Sequence, residues 1–142
     1  MTSQRAASIG LVIVAHGALA DALLHATQHV VGPQEGMRAI AIGPNDDLRQ
    51  CQSQINQAVA EVRAGLGVIV VTDMFGGTPS NLAHGVMGEP DVEVIYGANL
   101  PMLVKLAKVR DRSLPEAVQA GLDAGRKYVN SATAILDAEP AS

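Results

Sequence analysis

Hydrophobic residues gather in four short runs, which are separated by longer segments of mixed polarity. The runs cover residues 9–15, 37–42, 68–72 and 92–96, and most of their members are Val, Ile, Leu or Ala. Polar residues do not alternate regularly with apolar ones inside these runs, which is typical of strands buried on both faces of a parallel sheet. We therefore predict four buried strands.

Between and after these strands, apolar residues recur at helical spacing. In the first such segment they are Leu19, Leu23, Ala26 and Val30, a stripe that lies on one side of a helix. Five helices are predicted in this way, over residues 18–31, 46–64, 79–87, about 102–109 and 114–129.

Polar residues mark where three of these helices begin. Asn45, Thr78 and Ser113 are predicted N-caps, because a short polar side chain there can accept a hydrogen bond from a free backbone N–H group. Pro79 follows Thr78 at the expected first helical position, and Glu116 completes a capping box with Ser113. The helix boundaries are predicted from these signals.

Alternation of strands and helices predicts a doubly wound α/β fold, because connections between parallel strands cross over a face of the sheet. We predict a mainly parallel sheet in the order 2-1-3-4 with helices on both faces. The 142 residues are expected to form one domain, residues 1–142, with a core from about residue 9 to 129 and a short C-terminal tail. An apolar patch in the tail, residues 132–136, could add an edge strand, continue the last helix or contact a second subunit.

Composition narrows the class of partner. Aromatic residues make up only 2% of the chain, too few for the stacking platforms of nucleic-acid modules. The net charge of -4 provides no positive field for nucleic acid or anionic lipid, so a protein partner is expected. The single cysteine and the lack of an apolar run long enough for a membrane span or signal peptide predict a cytoplasmic protein without membrane insertion.

Two chemically active side chains are predicted to meet at one edge of the sheet. His16 follows the first strand and Asp73 follows the third, and these strands are neighbours in the predicted order. A carboxylate that accepts the N–H of one imidazole nitrogen leaves the other nitrogen free to attack phosphorus. We predict that His16 is the nucleophile and that Asp73 orients it.

A glycine turn next to Asp73 suggests how a phosphoryl group is held. The backbone of Gly76, Gly77 and Thr78 leads into a helix N-terminus, where free N–H groups attract anions. Thr78 could contact phosphate or serve only as a helix cap, and both readings stay open. The chemistry requires no metal and no cofactor, and the chain has neither a Walker lysine nor an acidic pair after its first strand.

Three motifs in order resemble a known family. They are Val14-Ala15-His16-Gly17, Asp73-Met-Phe-Gly-Gly-Thr-Pro-Ser-Asn81 and Gly97-Ala-Asn-Leu-Pro-Met-Leu103. Over residues 9–129 the chain resembles the EIIA domain of the mannose family in the bacterial phosphoenolpyruvate-dependent sugar phosphotransferase system.

This resemblance implies a phosphocarrier. His16 would accept a phosphoryl group from the carrier protein HPr and pass it to a histidine on an EIIB-type partner, with Asp73 hydrogen-bonded to His16. The family also implies a doubly wound α/β fold and a homodimer that exchanges an edge strand, which would give the tail a role. The chain continues into no fused EIIB domain, so a separate acceptor is expected.

Four positions are predicted to border the partner. Ala18 and Phe75 stand where transporter-linked relatives often carry bulky aromatics, and the resemblance places both on the rim. Asn99 and Pro101 follow the fourth strand beside the same crevice, although shaping that turn would account for them as well.

Three other functions compete with sugar transport. The phosphohistidine could be a regulatory signal, or the chain could be the related phosphoryl-donor subunit of a dihydroxyacetone kinase. An aspartyl-phosphate receiver domain also carries an acidic residue after its third strand. It needs a further acidic pair after the first strand, which this chain lacks.

Overall fold

A computed structural model describes residues 6–138 of the chain. The strands are β1 (Ser8–His16), β2 (Met37–Ile42), β3 (Gly65–Thr72) and β4 (Val92–Ile95). The helices are α1 (Leu19–Val31), α2 (Leu48–Val62), α3 (Thr78–His84), α4 (Leu100–Lys108), α5 (Leu114–Lys127) and α6 (Ala132–Ala138).

The strands form a parallel sheet in the order β2-β1-β3-β4, as predicted. Side chains alternate between its two faces, so each face has its own hydrophobic core. Helices α1, α4 and α5 cover one face, where Leu11 and Ile13 of β1 are buried, and α2 and α3 cover the other, where Val12 and Val14 are buried. Both faces of β1 are covered, which explains its continuous apolar character.

Two of the three predicted N-caps are wrong. Asp47 caps α2, because its carboxylate accepts the N–H of Arg49 at 3.0 Å, while Asp46 closes the preceding turn by accepting the N–H of Gly43 at 2.6 Å. Asn45 lies in that turn and is not the cap, because the carboxylates of Asp46 and Asp47 accept the backbone N–H groups there.

At α3 the cap is Gly77, and Thr78 is already the first helical residue, with no side-chain cap. The helix also ends at His84, three residues before the predicted end at residue 87, with Gly85 in the cap position. The predicted N-cap of α5 is confirmed, because the Ser113 hydroxyl accepts the Glu116 N–H at 3.4 Å; the Glu116 carboxylate accepts a hydrogen bond from that hydroxyl at 2.9 Å.

The tail forms a separate helix, α6, with no buried residue. Ile135 and Leu136 are exposed on it. Within residues 6–138 the sheet has four strands, so the alternative of an added edge strand is not realised within this chain. No helix of the described chain is long and apolar enough to cross a membrane.

Gly10 of β1 gives a prediction about stability. A Cβ atom there would lie 2.4 Å from the carbonyl oxygen of Val62 and 2.5 Å from its Cγ2 atom, so β1 and the end of α2 would have to separate. We expect Gly10→Ala to lower the free energy of unfolding by about 2 kcal/mol in urea titrations. Gly88→Ala is the matched control, because a Cβ there meets nothing within 4 Å, and equal losses in both variants would contradict the packing argument.

Candidate functional site

Strand order brings His16 and Asp73 together. β1 and β3 are adjacent and parallel, with Val14 paired to Thr72, so both residues lie just beyond that pair at the carboxyl edge of the sheet. β1 also lies next to β2, so this edge is the point where the strand order reverses. Ligand crevices of open α/β sheets lie at such points.

The two side chains contact each other directly, as predicted. His16 Nδ1 and Asp73 Oδ2 are 2.7 Å apart, and the same oxygen accepts the backbone N–H of His16 at 3.1 Å. The other carboxylate oxygen, Oδ1, accepts the backbone N–H of Met74 at 3.0 Å. Three hydrogen bonds therefore fix the carboxylate, and the carboxylate in turn fixes the imidazole ring.

These contacts keep Asp73 ionised. Partial burial by itself raises the pKa of the Asp73 carboxyl, but the hydrogen bonds from the His16 side chain and backbone, the charge of His16 and the Met74 N–H outweigh burial, so the pKa is lowered overall. The Asp73 side chain is 11% exposed, whereas that of His16 is 50% exposed. The acid is thus shielded, and the imidazole stays open to a reactant.

This lowered pKa predicts acid sensitivity. The unfolded chain binds a proton at Asp73 near the ordinary pKa of 3.8, and the folded chain only at lower pH, so the stabilisation is present above that value and lost below it. We expect the free energy of unfolding of wild type to exceed that of Asp73→Asn at neutral pH, and the difference to shrink as the pH falls below 3.8. Urea titrations of both proteins across this range would contradict the linkage if the difference stayed constant.

The free edge of the imidazole faces Gly77. A Cβ atom at Gly77 would lie 3.0 Å from His16 Cε1 and 3.4 Å from His16 Nε2. Since the φ angle of Gly77 is -88°, a conformation open to any residue, glycine is needed here for the close approach of the ring. The nitrogen that Asp73 leaves free therefore lies against the turn that opens α3.

The glycine turn has a more divided role than the sequence suggested. The N–H of Gly76 donates to Ser80 Oγ at 3.0 Å, and that buried hydroxyl donates to the carbonyl of Gly77 at 3.2 Å. Gly76 has a φ of +89° and so shapes the turn. The N–H groups of Gly77 and Thr78 belong to the first turn of the helix, where no internal acceptor exists.

A cavity of about 400 Å³ opens beside the imidazole. Its lining joins His16 and Thr78 to Asp46 of the β2–α2 loop and to Leu48 at the start of α2. No Lys or Arg of residues 6–138 is among the residues that line it. An anion in this cavity would thus meet no lysine or arginine side chain of the described chain.

The four predicted partner positions are spread around this edge. Ala18 is exposed before α1, and Phe75 is 69% exposed in the loop between β3 and α3. Asn99 caps α4, since its Oδ1 atom accepts the N–H of Met102 at 3.0 Å, and its amide donates to the carbonyl of Gly125 at 3.0 Å.

Pro101 lies half-buried in the first turn of α4. Asn99 therefore has a structural role, and Ala18 and Phe75 are the two exposed positions of the four.

Sequence reasoning missed two residues near the site. The sequence pattern places Tyr96 at the end of a strand and gives His84 no role, yet the His84 ring nitrogen and the Tyr96 hydroxyl are hydrogen-bonded and both rings lie near Phe75. The scarcity of aromatic residues was the signal that could have pointed to Tyr96, because the chain contains one Phe, two Tyr and no Trp.

Comparisons with known proteins agree with this geometry. Residues 10–121 match the family model EIIA-man, described as PTS system fructose IIA component. The mannose-specific EIIAB component of Escherichia coli K12 is 32% identical over 127 residues, which is 87% of this chain and 39% of that protein. This chain therefore spans about two fifths of that relative.

Two further relatives are matched over more of their length. The fructose-specific EIIA component of Bacillus subtilis 168 is 26% identical over 104 residues, 72% of this chain and 71% of that protein. Among solved structures, the mannose/sorbose-specific IIA subunit of Enterococcus faecalis superposes with a TM-score of 0.78 at 28% identity, over 87% of this chain and 94% of the other.

Proposed function

We propose that this chain, which belongs to the EIIA-man family of phosphotransferase-system components, is a phosphocarrier in which His16 holds the phosphoryl group. The family supports a phosphotransferase of the sugar phosphotransferase system. What carries the assignment to particular residues is the 2.7 Å contact between His16 Nδ1 and Asp73 Oδ2.

The contact specifies which nitrogen reacts. With its carboxylate held ionised, Asp73 accepts a hydrogen bond from Nδ1–H, so the proton stays on Nδ1 and the lone pair is on Nε2. Nε2 attacks the phosphorus of a phosphohistidine donor, the new P–N bond forms as the P–N bond of the donor breaks, and the donor imidazole leaves. The nearby carboxylate stabilises the positive charge that develops on the ring.

Backbone groups are the proposed ligands of the phosphoryl oxygens. Gly77 lies against the Cε1–Nε2 side of the His16 ring, and Thr78 lines the cavity beside it. The free N–H groups of Gly77 and Thr78 at the start of α3 are therefore the proposed donors. Gly76 supports the turn and contributes less, because its N–H is bonded to Ser80. Because no lysine or arginine lines the cavity, this chain neutralises the charge of the phosphoryl group only weakly. Weak binding suits a carrier, which must release its phosphoryl group as readily as it accepts it.

We propose HPr as the phosphoryl donor and an EIIB-type protein as the acceptor. The edge around His16 presents exposed apolar side chains suited to a protein surface, namely Leu19, Leu48, Met74, Phe75 and Leu100. Ala18 and Pro101 are further rim positions of the proposed partner surface. Asn99 contributes indirectly, because it caps α4 and so shapes the turn beside that surface. The homodimer and the one-domain organisation of residues 1–142 stay predictions.

Phosphoryl transfer can be tested directly. Wild-type protein is incubated with phosphoenolpyruvate, enzyme I and HPr, and the product is analysed by intact mass and by stability in acid and base. The proposal expects one phosphoryl group that is labile in acid and stable in base. A protein that stays unmodified would refute the proposed function.

The same adduct separates the competing functions. Acetyl phosphate with Mg²⁺ is expected to give no hydroxylamine-sensitive adduct on Asp73, and such an adduct would favour the receiver alternative. Transfer onward to an EIIB-type protein supports transport. Transfer only to a dihydroxyacetone kinase would indicate the phosphoryl-donor role. If phosphorylation changes only the binding partners of the protein, the role is regulatory. Either result would rule out the transport assignment.

A further inference from the structure

An aromatic cluster lies next to the site and takes no part in the chemistry described so far. It consists of Phe75, His84 and Tyr96, and is called the aromatic cluster below. Phe75 is two residues beyond Asp73 in the β3–α3 loop, His84 is the last residue of α3, and Tyr96 directly follows β4. The cluster therefore joins three elements near the carboxyl edge of the sheet.

The three rings are arranged in mutually favourable geometry. Tyr96 and Phe75 meet edge-to-face, with ring centroids 5.0 Å apart and an interplanar angle of 84°. His84 stands almost perpendicular to Tyr96 at 5.6 Å, and the His84 Nε2 atom is hydrogen-bonded to the Tyr96 hydroxyl. Edge-to-face pairs of this kind add a specific attraction to simple burial.

Tyr96 connects the cluster to the core. Its ring is half-buried and packs against the hydrophobic core that α2 and α3 cover. The hydrogen bond to His84 fixes the hydroxyl end of Tyr96, so this side chain is held at both ends while its ring contacts Phe75.

Phe75 is exposed in a way that calls for a function. Its side chain is 69% exposed, the most exposed of the large apolar residues in the loop and helix starts around His16. A free phenyl ring on a loop loses rotamer freedom when a partner immobilises it, and this loss of entropy weakens binding. A ring held beforehand avoids that cost, and aromatic residues held in this way are typical anchors of protein interfaces.

We infer that His84 and Tyr96 are positioning residues that hold Phe75 as a preformed anchor for the protein that donates its phosphoryl group to His16. The inference rests on the proposed function and extends it, because it assigns residues that act on docking and not on the reactivity of the imidazole. The partner surface that fits is an apolar patch beside the donor's phosphohistidine, since the anchor is a phenyl ring.

The test separates docking from chemistry. KM and kcat for transfer from phospho-HPr are measured for wild type, Tyr96→Phe and His84→Ala, and each protein is also phosphorylated with the small donor phosphoramidate, which needs no docking surface. Removal of the His84–Tyr96 hydrogen bond is expected to raise KM for phospho-HPr about three- to tenfold, with kcat and the phosphoramidate rate unchanged.

Two comparisons make the test specific. Tyr128→Phe is the matched control, because Tyr128 is an exposed tyrosine outside the cluster and its variant should leave KM unchanged. In the background of Phe75→Ala the anchor is gone, so adding Tyr96→Phe should raise KM no further.

Each failure has its own meaning. If Tyr96→Phe matches Tyr128→Phe, or if the two substitutions in the double variant act additively, the positioning role is overturned. A phosphoramidate rate that falls together with the transfer rate overturns it too, because the cluster would then act on His16 itself. Wild-type protein that accepts phosphate from phosphoramidate but not from phospho-HPr refutes the proposed function, and the inference with it.

Discussion

We expect the His16→Gln protein to take up no phosphoryl group from phospho-HPr. The glutamine amide is not a nucleophile toward phosphorus, and in the described chain no other imidazole is hydrogen-bonded to Asp73. Loss of a covalent nucleophile lowers rates by factors of roughly 10³ or more, which places the variant below detection. The measurement is intact mass after incubation with phosphoenolpyruvate, enzyme I and HPr.

Other histidines of the chain provide the controls for this experiment. His25 and His29 are exposed on α1, and His25→Gln and His29→Gln should be phosphorylated at the wild-type rate. Phosphorylation of His16→Gln at any appreciable level would show that the phosphoryl group is carried elsewhere. Equal stability of the three variants in urea would exclude misfolding as the reason for the loss.

Asp73→Asn is expected to slow phosphorylation by a factor of about 10² to 10⁴. An asparagine amide can donate to Nδ1, which favours the tautomer with its proton on Nε2, and the nucleophilic lone pair is then lost. The negative charge that stabilises the phosphorylated ring disappears as well. Single-turnover phosphorylation by excess phospho-HPr measures the rate of this step.

The control for Asp73 is an exposed carboxylate away from the site. Asp111→Asn removes one negative charge on the loop between α4 and α5, and the rate should stay within about twofold of wild type. An Asp73→Asn variant that reacts as fast as Asp111→Asn would mean that the carboxylate does not orient the imidazole.

The sheet and the pairing of His16 with Asp73 could be predicted from the sequence for a simple reason. Buried parallel strands consist of continuous apolar runs, and a histidine or aspartate that directly follows such a run must lie at the carboxyl edge. The strand order then decides which of these ends are neighbours. The contact of the two residues therefore follows from chain order and fold class.

Helix starts were harder to predict because several side chains compete for the same backbone groups. Asn45, Asp46 and Asp47 are all good caps, and only the path of the turn decides that Asp47 meets the first free N–H. At α3 a buried serine, Ser80, bonds within the glycine turn, and Thr78 enters the helix as a result. Such choices depend on tertiary geometry.

The aromatic cluster and the tail show a different limit. Phe75, His84 and Tyr96 come from three successive segments of the chain with unequal spacing, and no periodicity links them. Residues 132–138 form a segment too short to indicate helix or strand by pattern alone, and its helix has no buried residue.

Asp73 accepts the hydrogen bond from His16 Nδ1, so Nε2 is the nitrogen that should carry the phosphoryl group, and NMR spectroscopy can test this assignment. Protein labelled with ¹⁵N-histidine is phosphorylated through HPr, and NMR spectra record which ring nitrogen of His16 couples to ³¹P. We expect coupling at Nε2, with the proton retained on Nδ1. Coupling at Nδ1, or a phosphoryl group on any residue other than His16, would contradict it.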